Sequence, residues 1–260
     1  MSLKQKITTL LFSGSLPKTP VILFFFFLNF IPSTKAQDKV IFPAIDSLKV
    51  TADLYTGNAD EAFILLFHDE DASRGEYRKI ALRLVKIGYN CLAVDLRQGK
   101  ESHYVSNETA RRADSLHLYP KKSDCLKDIE GAIRYAVQRS RRPVVLFGSS
   151  FSASLCLLAA KNNPDVKAVV AFSPGEFFKP QIPVCDSLQG YDKLTLIAGT
   201  KFEYPYLIEI SKNIPDDKKT VFVPSRAEGE HGVAALSESN PASDDYWLSL
   251  LMFFKNVKKL

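Results

Sequence analysis

Apolar and polar positions along this chain follow two rhythms. Short, nearly continuous apolar runs of the kind buried on both faces of a parallel sheet recur at 62–67, 90–95, 143–147, 166–172, 193–197 and 220–223. Between them lie stretches with helical spacing. One is 76–87, with Tyr77, Ile80, Ala81 and Leu84 in phase and Gly88 as a stop; another is 124–139, with Cys125, Ile129, Ala132, Ile133 and Ala136 on one face. Further helices are predicted at 151–161, 203–213 and 243–258, the last carrying Trp247, Leu250, Leu251 and Phe254. Residues 39–56 read as an opening antiparallel hairpin around Asp46-Ser47. Strands alternating with helices predict an α/β chain with a mainly parallel central sheet of about eight strands and helices on both faces. Residues 97–121 break the rhythm as a long polar connection without a clear period. They follow a strand's carboxyl end, where open α/β sheets bind ligands, and are either an active-site rim or a plain surface excursion.

The first 36 residues belong to a different pattern. Lys4, Lys6 and Lys18 precede an apolar run at 21–31, and Thr34-Lys35-Ala36 supplies a small-residue cleavage site. The run is shorter than the roughly 20 residues a spanning helix needs. Residues 1–36 therefore read as a signal peptide and 37–260 as a single domain, exported to the periplasm or secreted, with no stable membrane anchor after cleavage. The formal net charge is +5, and losing the leader's four lysines leaves +1, so the charge gives no reason to expect a nucleic-acid partner. Cys91, Cys125, Cys156 and Cys185 form no C-x-x-C pair and have no His at zinc spacing, so buried thiols are expected and no metal.

The chemistry-bearing segment is Gly148-Ser149-Ser150-Phe151-Ser152, set between a buried strand and a helix. A serine hydroxyl is a poor nucleophile unless it is exposed at a sharp turn beside a base. A G-x-S-x-G elbow makes that turn, and Ser152 keeps the last position small. Of the four histidines, His231 follows the last predicted strand and precedes the closing helix, which makes it the candidate base. His68 ends the first buried strand and is expected to shape the oxyanion side of a pocket, as a substrate-binding residue. His103 and His117 lie in the polar excursion and read as solvated. Two carboxylates follow suitable strands as the orienting acid: Glu203, favoured, and Glu176 as its alternative.

These pieces, with Leu66-Phe67-His68, Gly75-Glu76-Tyr77, Ala93-Val94-Asp95-Leu96-Arg97, Phe172-Ser173-Pro174-Gly175-Glu176 and His231-Gly232, resemble the α/β-hydrolase superfamily, in its dienelactone-hydrolase or esterase-like branch. The resemblance covers nearly all of 37–260. It implies a Ser-acid-His triad, no metal, no organic cofactor, and a small-molecule acyl substrate. Oxyanion donors are then expected from the backbone N–H groups of Phe151 and Asp69, with Glu70 and Asp71 turned to solvent or to a partner such as Arg74. The chain departs from the pattern with Asp69 where Gly often follows His, Ser152 for the last elbow Gly, and Phe202 where Asp is usual. The expected activity is cleavage of a carboxylic ester or related acyl bond through an acyl-enzyme on Ser150. A peptidase or amidase with the same triad, and a hydrolase-fold binding protein without activity, are the alternatives. Oligomeric state is left open.

Overall fold

The computed structural model describes residues 37–57 and 61–259; the expected signal peptide lies outside them. The chain opens with the hairpin β1 (Asp38–Pro43) and β2 (Lys49–Tyr55), then alternates. Strand β3 (Phe63–Phe67) leads through a 3-10 turn (Arg74–Tyr77) into α1 (Arg78–Lys86), and β4 (Asn90–Val94) follows. A two-stranded ribbon, β5 (Glu101–Ser102) with β6 (Val105–Ser106), and α2 (Glu108–Ser115) occupy the polar excursion. Then come α3 (Leu126–Ser140), β7 (Val144–Ser149), α4 (Phe151–Ala160), β8 (Val166–Phe172), α5 (Val184–Ser187), β9 (Leu194–Ala198), α6 (Tyr204–Ile210), β10 (Lys219–Phe222), a 3-10 turn (Gly232–Leu236) and α7 (Ser243–Val257).

Eight strands form one sheet in the order β1-β2-β4-β3-β7-β8-β9-β10. All pairs from β4 to β10 are parallel; β1–β2 and β2–β4 are antiparallel. Parallel strands covered on both faces need apolar residues at every position, and β3, β4 and β7 are buried throughout. One apolar layer packs α3, α4 and α6 against the sheet through residues such as Ile129, Leu155 and Leu207. The other packs α1 and α7 through Leu84, Leu250 and Phe254. All four cysteines are buried free thiols.

Helix α2 is absent from the apolar pattern for a physical reason. Its inward positions are Thr109, Ala110 and Ala113, too small to register as an apolar stripe. What starts it is polar: the Asn107 side chain caps the Ala110 N–H at 2.8 Å while its amide donates to the Leu96 carbonyl at 2.9 Å.

The parallel register aligns the strand ends. Phe67 pairs with Gly148, Ser149 with Phe172, Phe172 with Ala198, and Ala198 with Phe222. The loops after β3, β7, β8, β9 and β10 therefore leave the sheet at one edge, and they carry Asp69, Ser150, Ser173, Glu203 and His231.

Candidate active site

Ser150 sits at the turn from β7 into α4 with φ 56° and ψ −120°, a conformation that costs a non-glycine residue on the order of 1–3 kcal/mol. Three contacts hold it. Its N–H donates to the Phe172 carbonyl at 2.8 Å. The Ser152 hydroxyl donates to the Phe67 carbonyl at 2.7 Å and accepts from the Ser149 N–H at 3.0 Å, so the residue that replaces the last elbow glycine ties the turn to β3. At Gly148, a Cβ would stand 2.6 Å from Ala153, which leaves no room for any other residue. Phe151 opens α4, where a first-turn N–H has no intrahelical acceptor.

The histidine loop is pinned to the same turn. Val233 donates its N–H to Ser149 Oγ at 3.1 Å, and Gly232, at φ 61°, donates to Ser173 Oγ at 2.9 Å. Ser173 Oγ in turn donates to Glu203 Oε2 at 2.8 Å. His231 Nδ1 lies 2.5 Å from Glu203 Oε1. Glu203 Oε2 also accepts the Thr200 N–H at 2.8 Å. Burial opposes ionisation of Glu203, but the hydrogen bonds from His231, Thr200 and Ser173 outweigh it and keep its carboxyl below the usual glutamate range. The same Glu203 bond raises the His231 imidazole above its ordinary value despite partial burial.

Glu176 is elsewhere engaged: it accepts the N–H groups of Val184 at 2.7 Å and Cys185 at 2.9 Å, capping the short α5. Sequence reasoning missed Ser173 and Thr200, which position Glu203; isolated small polar residues after a strand carry no signal of their own.

The loop after β3 differs most from expectation. His68 is fully buried, with Nδ1 2.8 Å from the Asp69 carbonyl and Nε2 accepting the Leu96 N–H at 3.0 Å. Burial holds its pKa down to about 4, so it is a neutral tie between β3 and β4 and presents nothing to a substrate. The Asp69 N–H, expected to face an oxyanion, donates to Glu76 Oε2 at 3.0 Å. The Asp69 carboxylate faces the other way, toward Ser150, and its Oδ2 is 3.7 Å from His231 Nε2. Burial raises both carboxyls, Glu76 to about 7. Glu70 and Asp71 pair with Lys122 at 2.7 Å and Lys100 at 3.1 Å. Arg74 is not their partner; its guanidinium turns inward to Asp53, Asp95 and Glu108.

Comparison with solved structures shows this fold in other proteins. A dienelactone hydrolase of Anabaena variabilis superposes with a TM-score of 0.63 at 18% identity, over 85% of this chain and 98% of that one. An esterase of Pyrococcus furiosus gives 0.62 at 16% identity, over 85% and 90%. An acylaminoacyl peptidase of Pyrococcus horikoshii gives 0.59 at 14%, over 84% of this chain and 41% of that one. At such identities the likeness is one of fold. No curated protein matches the chain in sequence. The sequence model of one family does match, over residues 50–258, a span that takes in the β7 turn, Glu203 and His231. With an eight-stranded, mostly parallel sheet beneath that span, the chain belongs to the dienelactone hydrolase family, hydrolases of the α/β-hydrolase fold that act on ester bonds.

Proposed function

We propose that this protein is an exported serine hydrolase that cleaves a carboxylic ester through an acyl-enzyme on Ser150. The 2.5 Å contact between Glu203 and His231, on a loop bonded to the Ser149–Ser150 turn, carries the reading. His231 Nε2 takes the Ser150 proton as Oγ attacks the ester carbonyl carbon. The tetrahedral oxyanion is received by the Phe151 N–H at the start of α4. Collapse breaks the ester C–O bond, and the His231 imidazolium returns the proton to the leaving alcohol. Water, deprotonated by His231, then attacks the acyl-enzyme and releases the acid. Glu203 holds the imidazole in orientation and stabilises its charged form.

Asp69 favours a second reading, a binding protein without turnover, because a carboxylate beside Ser150 opposes a developing oxyanion. A fluorophosphonate probe on the purified protein separates the two. Labelling that vanishes in Ser150→Ala, together with turnover of short acyl esters, is expected; no Ser150-dependent labelling sinks the covalent mechanism. Export is supported by the leader pattern of residues 1–36, and N-terminal sequencing of the exported protein should begin at Gln37.

A further inference from the structure

Charge around the candidate site is one-sided. Asp69 and Glu76 stand on the β3 side, joined by the Asp69 N–H to Glu76 bond. His231 and Glu203 also line a cavity of about 400 Å³, within the range of small-molecule sites. Phe177, Tyr206 and Ile210 give it an apolar wall. Its other charged lining residues are Glu176, Asp186 and Glu209 against Lys179 and Lys212. Both lysines are engaged by carboxylates of the same wall: Lys179 lies 3.6 Å from Glu176, and Lys212 lies 2.5 Å from Glu209. No arginine is among the cavity's lining residues. Lys100 and Lys122, near the β3 loop, are paired with Asp71 and Glu70, and Arg74 is enclosed by three acids.

Resting on the serine-hydrolase reading, we propose that this site takes esters without negative charge, seats an aryl or branched aliphatic group against Phe177 and Tyr206, and turns away esters that carry a carboxylate. A carboxylate brought to Ser150 meets the Asp69 carboxylate, and one reaching into the neighbouring cavity meets Asp186. The lining lysines are already paired with Glu176 and Glu209, so like-charge repulsion disfavours an anionic ester. An uncharged aromatic group gains by leaving water for the apolar wall, and aromatic side chains favour that contact further.

The test compares three 4-nitrophenyl esters on the full chain: the benzoate, the hemisuccinate and the 4-(trimethylammonio)butyrate. The benzoate should exceed the hemisuccinate at least tenfold in kcat/KM, with the difference mainly in KM, and the cationic ester should also exceed the hemisuccinate. Added salt should narrow the gap, as screening requires. Asp69→Asn and the double variant Asp186→Asn/Glu209→Gln should each narrow it several-fold, whereas Tyr206→Ala should raise KM for the benzoate. A hemisuccinate turned over as well as the benzoate, by an enzyme still labelled at Ser150, overturns the charge proposal and leaves the hydrolase reading standing. If no ester is turned over and Ser150 is not labelled, the hydrolase reading falls, and this proposal with it.

Discussion

Two groups of carboxylates lie on either side of the short turn after β3, and they are treated in opposite ways. On one side, the buried Arg74 guanidinium answers three of them: Asp95 at 2.5 Å, Glu108 at 2.8 Å and Asp53 at 3.0 Å. Its Nη1 also donates to the Ser106 carbonyl at 3.1 Å, and its own N–H donates to Asp95 Oδ1 at 2.9 Å. This cluster ties β2, β4, the β5–β6 ribbon and α2 together. On the other side, among the described residues, Asp69 and Glu76 have no lysine or arginine partner, and His231, 3.7 Å from Asp69, is the titratable cation that faces them. Charge buried with its counter-ion holds elements in place. Charge buried without one costs stability, and such costs concentrate where a protein does chemistry. The difference marks the β2–β4–α2 side as scaffold and, under the proposed function, the Ser150 side as the working face.

Glu203 offers the sharpest break in this comparison, because its carboxylate is held by His231, Ser173 and Thr200. Glu203→Gln keeps the shape and loses the charge, and kcat should fall by roughly 10³–10⁴-fold, the scale seen when a triad acid is made neutral. The pH profile tests the cause. In the proposed mechanism neutral His231 is the base, so activity should be lost as pH falls through its raised pKa. The acid limb of kcat/KM should therefore lie above the ordinary imidazole value of 6.5, and it should move to lower pH in Glu203→Gln. An unmoved limb would show that Glu203 does not set it.

Arg74→Ala attacks the other side. Stranding Asp53, Asp95 and Glu108 without their cation should destabilise the fold by about 3–5 kcal/mol, read as a lower urea midpoint at pH 7. A midpoint near wild type would remove the argument that this cluster is scaffold.

Glu76→Gln is the smallest effect and has the opposite sign. A carboxyl raised to about 7 in the folded chain is destabilising once ionised, so stability is lost as pH climbs from the unfolded value near 4.5 through about 7. Glutamine keeps an oxygen for the Asp69 N–H and carries no charge. At pH 8 it should raise Tm by roughly 2–8 °C, the shift given by about 1–2 kcal/mol in a chain of this size, and at pH 4 it should change little. Equal shifts at both pH values would rule out ionisation as the cause.

Much of the scaffold is legible in the chain alone, because its signals are local. An apolar run of five or six residues suits a strand covered on both faces, and β3, β4, β7, β8 and β9 arise where such runs stand. The Gly148–Ser152 turn is legible for the same reason: small residues between a strand and a helix restrict the backbone locally. Helix α2 escaped because its inward face is built from alanine and threonine, and its start depends on Asn107 reaching the distant Leu96 carbonyl.

The direction in which each carboxylate points is not local, and tertiary structure alone decided it. Glu203 and Glu176 follow strands in similar ways, yet one meets His231 and Ser173 while the other caps Val184 and Cys185. Asp69 follows His68 in the chain, but its N–H is taken by Glu76 and its carboxylate turns toward Ser150 and His231. A side chain's partner depends on loops brought together by the register of a parallel sheet, across separations of 28 residues for Glu203–His231 and 84 for Ser149–Val233. The sequence by itself determined the elements, the fold class and the turn that bears Ser150. The folded sheet determined which acid serves His231, and that Ser150 has a carboxylate for a neighbour.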